Sequence, residues 1–132
     1  MYELTIGGNV YQFKFGMGFM REINKKVSQA VDGAPKDYKK NVGLNYAIAG
    51  IIDGDVEELV DVLIAANKGM QLRVTKELLD NFIDDECEDI DTVFEEVLDF
   101  LGKANATKKA VANLQKMIEE EKEKAEKSKA EN

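Results

Sequence analysis

Residues 10–27 read VYQFKFGMGFMREINKKV, and the hydrophobic period changes in the middle of them. Tyr11, Phe13 and Phe15 fall on one side of an extended chain, with Gln12 and Lys14 on the other. From Phe19 onward the apolar spacing becomes four: Phe19, Ile23 and Val27 align, with Met20 beside them. Gly16 and Gly18 stand at the change and permit a sharp turn from strand to helix.

Upstream, YELTI (2–6) also alternates, with Tyr2, Leu4 and Ile6 on one face. Gly7, Gly8 and Asn9 separate the two alternating runs, and all three tolerate positive φ. The expectation is a β-hairpin over residues 2–15. A lone hairpin is marginal in water, so it must pack on the remainder of the chain.

That remainder reads as helical. DGAPKDYKKN (32–41) reads as a loop around the only proline, Pro35. VGLNYAIAGII (42–52) reads as a short helix buried nearly all round. Asp55 with Glu58 resembles a capping box, ahead of a stripe of Leu59, Val60, Leu63 and Ile64. Gly69 is expected as the left-handed cap that ends this helix. Thr75 caps the next helix, with Leu78, Leu79, Phe82 and Ile83 inside, and DDECED (84–89) breaks it. Asp91 is expected to cap a fifth helix over Val93, Phe94, Val97, Leu98 and Leu101, with Gly102 beyond its end. A last helix from Thr107 carries Val111, Leu114 and Ile118.

The expected fold is α+β and mostly helical: an N-terminal hairpin packed on five or six helices. Residues 1–118 form a single domain in this reading, and 119–132, EEEKEKAEKSKAEN, a charged tail that is a fraying helix or disordered.

Charge and composition exclude several function classes. The net charge is -8, and 16 of the 26 acidic residues lie between 53 and 101, opposed there by only three basic ones. That argues against nucleic-acid binding, which needs Lys and Arg on phosphates. It leaves room for a basic protein partner, or for plain solubility. No apolar run approaches the roughly 20 residues of a membrane span. The N-terminus has neither a basic start nor an apolar core, so no secretory signal is expected, and a soluble cytoplasmic protein is.

No histidine is present, which removes the commonest general base and metal ligand. Cys87 sits among the six carboxylates of DDECEDID (84–91), a setting that disfavours a thiolate. The same run fails as a calcium loop, because Asp89 stands where glycine must make the turn. Gly16-Met17-Gly18 is no dinucleotide loop, since Arg21 replaces the third glycine. No catalytic, metal or cofactor site is expected. There remains adaptable apolar surface at the strand-to-helix junction: Phe13, Phe15, Met17, Phe19 and Met20 are the candidate partner-binding residues. Of these, Phe19 is expected to seat the hairpin and Met17 to meet the partner.

The run LTIGGNVYQFKFGMGFMREINKK (4–26) resembles the N-terminal signature of the tail assembly chaperones of long-tailed phages, in the branch found in phages and prophages of Gram-positive hosts. The likeness lies in the order of features: a Gly-Gly-Asn hairpin turn, an aromatic-Lys-Phe strand end, Gly-x-Gly-Phe, then a helix opening with Arg-Glu. The resemblance implies a non-enzymatic protein of the host cytoplasm, absent from the mature virion. It would bind the long tape measure protein, keep it soluble and help the tail tube form around it. The tail tube protein and a second copy of the chain are further candidate partners. The resemblance also implies that, as in many relatives, a ribosomal frameshift near the end of the gene gives a longer form, and Gly102-Lys103 or Lys108-Lys109 could encode one here. Two other readings stand beside this one. One is a structural tail or head-tail connector protein. The other is an acidic DNA mimic using the carboxylates from Asp84 to Asp91.

Overall fold

Gly7 and Gly8 both take left-handed backbone angles, φ 57° and 86°, so the chain reverses in a two-residue turn whose twist matches the strands it joins. The computed structural model describes residues 1–28 and 42–130. Strand β1 spans Tyr2–Ile6 and β2 spans Asn9–Phe13, paired antiparallel from Ile6↔Asn9 to Tyr2↔Phe13. Asn9, expected in the turn, is therefore the first residue of β2. The alternation holds: Tyr2, Ile6, Tyr11 and Phe13 are buried, while Val10 and Gln12 are exposed. Phe15 stays buried although the ladder ends at Phe13.

Six helices come after the hairpin among the described residues: α1 (Met17–Ser28), α2 (Val42–Asp53), α3 (Val56–Asn67), α4 (Lys76–Asn81), α5 (Ile90–Lys103) and α6 (Lys108–Ala130). The architecture is α+β, with the hairpin as its only sheet among those residues. The side chain of Val27 and the loop 32–41 with Pro35 lie outside the described residues.

Short-range signals in the sequence form as expected. The Asp55 carboxylate accepts from the Glu58 amide, and the Thr75 hydroxyl from the Leu78 amide. Five further expectations are corrected. Only one face of α2 is buried, around Leu44, Ala47, Ile48 and Ile51, and Tyr46 is 65% exposed. Gly69 is not left-handed; Gly54, with φ 75°, is the residue that reverses the chain between α2 and α3. The helix of Thr75 runs on through 84–86 as a π turn, Phe82–Glu86, closed by the Cys87 amide on the Phe82 carbonyl at 2.7 Å. Asp89 rather than Asp91 caps α5, and Gly102 lies inside that helix.

One core joins these pieces. Phe13 and Ile6 from the hairpin meet Phe19 and Ile23 of α1, Leu44 and Ile48 of α2, Leu59 and Leu63 of α3, and Val97 and Leu101 of α5. Each such side chain contributes roughly 1.5–3 kcal/mol on leaving water. Helices α1 and α2 cross at Gly43, where an added Cβ would stand 2.3 Å from the Ile23 carbonyl oxygen. The same crossing lets the Asn24 side chain accept from the Leu44 amide at 2.9 Å, which satisfies an orphan donor of the first turn of α2.

Candidate partner-binding cleft

Where β2 runs into α1, the junction is fastened to the far end of α3. The Lys14 amide donates to the Ala66 carbonyl at 2.9 Å. Buried Asn67 donates from its side chain to the Gln12 carbonyl, also at 2.9 Å. These bonds set the strand-to-helix turn opposite the C-terminal ends of α3 and α5. Between them opens a cleft of about 1000 Å³.

Its floor is apolar. Phe15 and Phe19 meet edge to face with ring centroids 5.2 Å apart, and Phe15 leans on Phe100 of α5 at 6.3 Å. Ala65, Ala66 and Met70 from α3 and the turn after it form one side. Gly16, Met17 and Gly18 form the opposite side, at the start of α1. Three lysines, Lys14, Lys68 and Lys103, and a single carboxylate, Glu22, complete the lining among its charged residues. Lys68 and Glu22 pair at 2.8 Å, and the hydrogen bond to Lys68 holds the Glu22 carboxyl below its ordinary pKa.

The five residues singled out by sequence divide here. Phe13, Phe15 and Phe19 are 0%, 5% and 3% exposed, so they belong to the core and reach the cleft only as its floor. Met17 stands on the wall with 48% of its surface exposed. Met20 is half-buried against the core and does not line the cleft. Sequence reasoning missed Phe100, Met70, Lys68 and Lys103, which arrive from the ends of distant helices. Phe100 alone left a trace, as an aromatic lying off the buried stripe of its helix.

The rest of the molecule offers little chemistry. Among the described residues no group of three or more Cys, Asp or Glu side chains is placed to hold a metal ion. Cys87 is a half-buried free thiol. Of the acidic run 84–91, Glu86 accepts from the Gly7 amide at 2.8 Å and so ties the hairpin turn to the π turn. Among the described residues no helix is long and apolar enough to cross a membrane.

The sequence model of the family described as phage tail assembly chaperone protein, TAC, matches residues 3–116. The chain belongs to this family. The match takes in the hairpin from Glu3 onward, every residue that lines the cleft except Met1, and the first part of α6. No curated protein and no solved structure matches the chain. The family is one of assembly factors.

Proposed function

We propose that the chain acts without catalysis as the chaperone of the tape measure protein. It binds that protein, keeps it soluble in the host cytoplasm and promotes growth of the tail tube around it. The observation that carries this reading is the open cleft beside Met17, whose apolar floor belongs to the family-matched part of the chain. A long apolar client needs its exposed faces covered until its proper partners arrive. The cleft supplies a hydrophobic seat for one client segment, and the net charge of -8 keeps the complexes apart. The tail tube protein, or another copy of the chaperone, would join the complex during assembly.

Co-expression with the client tests this. With the wild-type chaperone the tape measure protein is expected in the soluble fraction and in a copurified complex. Met17→Asp is expected to keep the chaperone folded, because the side chain is half in solvent and a carboxylate suits the first turn of a helix. The same variant should lose the complex. Equal solubility of the client with and without the chaperone sinks the reading.

A further inference from the structure

We propose that the cleft selects an amphipathic client helix that carries carboxylates beside its apolar face, against the sign of the chaperone's own net charge. This rests on the reading that the cleft seats the client. The chain as a whole is at -8, so a basic client is the first expectation from composition. The cleft reverses that sign locally. Three lysines and one carboxylate line it, and the acidic run 84–91 lies elsewhere.

The lysines are available to a ligand. Lys68 pairs with half-buried Glu22 at 2.8 Å and Lys103 with exposed Asp99 at 2.9 Å, and both ammonium groups stay in solvent, where such pairs exchange partners at little cost. Among the described residues Lys14 pairs with no carboxylate, and its methylenes fold back over Gly16, the nearest, Cε, 3.4 Å from where a Cβ would stand. That places the lysine beside the first turn of α1. This turn contains no acidic residue, and its first amides have no partner within the helix. The positive end of the α1 dipole therefore adds to the lysines. An aromatic and alanine floor below a positive rim is complementary to a helix with apolar residues on one face and Asp or Glu along its edge. A helix with lysines at that edge would meet like charge.

Two synthetic helical peptides with one apolar face in common, flanked by Glu in one and by Lys in the other, decide the matter. Binding is read by fluorescence anisotropy in low and high salt. The Glu peptide is expected to bind roughly tenfold more tightly at low salt, with the gap closing as salt rises. Lys14→Glu, an exposed substitution, should remove most of that preference and leave the thermal midpoint in place. Equal affinity for both peptides, abolished by Met17→Asp, keeps the cleft as the client site and overturns the charge rule. Tighter binding of the Lys peptide overturns it too. If neither peptide binds and Met17→Asp leaves client solubility intact, the cleft reading and the charge rule both fall.

Discussion

The Val74 amide donates to the side-chain oxygen of Asn67 at 2.7 Å, inside the core and at the end of α3. Asn67 is 1% exposed, and its amide nitrogen also donates to the carbonyls of Gln12 and Leu72, at 2.9 and 3.0 Å. One side chain thus satisfies three backbone groups, one on β2 and two in the segment between α3 and α4. Asn67→Ala should cost on the order of 3 kcal/mol, because buried polar groups that lose their partner pay their full desolvation. Asn67→Asp should be at least as damaging, since a carboxylate would face two carbonyls. Urea unfolding measures both. A loss below about 1 kcal/mol would show that water replaces the amide at no great expense.

Gly43 and Gly18 make an opposed pair. A Cβ at Gly43 would lie 2.3 Å from the Ile23 carbonyl oxygen and 2.7 Å from the Asn24 Cα, both backbone atoms that cannot step aside. Gly43→Ala should therefore separate α1 from α2 and cost about 1–3 kcal/mol or more. At Gly18 nothing lies within 4 Å of the added carbon. Gly18→Ala should be neutral or stabilising by up to roughly 1 kcal/mol, through helix propensity. Thermal midpoints that move together, rather than apart, would contradict the close crossing of the two helices.

The difference between these sites is also the difference between what the sequence discloses and what it conceals. The hairpin was legible because strict alternation and a Gly-Gly turn are local and strong. The Asp55 and Thr75 caps were legible for the same reason, as three-residue patterns. Asp89 was missed as a cap because Asp91 offers the same chemistry two residues on, and the π turn at Phe82–Glu86 decides which one meets the helix end. Asn67, Gly43 and Glu86 gave no signal, because their partners Gln12, Ile23 and Gly7 are distant in the chain. The cleft was half legible. The Phe13–Phe19 stretch of the lining is contiguous and stood out as apolar, but the rest of the lining comes from helix ends that meet only in the folded chain. Contiguity alone does not separate the two roles: Phe13, Phe15 and Phe19 mostly fill the core, the place expected for Phe19, and Met17 is exposed.

Tyr2 sets an alkaline limit. Its hydroxyl is buried and makes no hydrogen bond. Burial, and next the nearby Glu96 carboxylate, push its pKa well above the ordinary 10.0. The folded state therefore holds the proton more tightly than the unfolded chain. This contribution is complete below pH 10.0 and is lost as the pH climbs past it towards the folded value. Tyr2→Phe removes both the titration and the unsatisfied hydroxyl. The variant should match or exceed the wild type by up to about 1 kcal/mol at neutral pH. Its advantage should widen above pH 10.0, and urea midpoints across the alkaline range test this. A constant difference between the two proteins would mean that the hydroxyl reaches solvent.

The end of α6 is expected to stand apart from the cooperative unit, so that residues 1–118 carry the fold. Val111 is buried and Leu114 and Ile118 are half-buried, whereas residues 119–127 are all exposed. Glu120 and Glu123 precede Lys124 and Lys127 by four residues, the favourable order for helical ion pairs. Each such pair is worth about 0.2–0.5 kcal/mol to its own helix and nothing to the core. An isolated helix of this length is marginal, so the extension borrows its nucleus from the packed first turns of α6. Truncation after Ile118 should reduce the far-ultraviolet helical signal and shift the thermal midpoint by no more than about 2 °C. A fall of about 8 °C or more, which corresponds to over 1 kcal/mol in a domain of this size, would place the extension against the body of the protein. The domain boundary would then have to move to the end of α6.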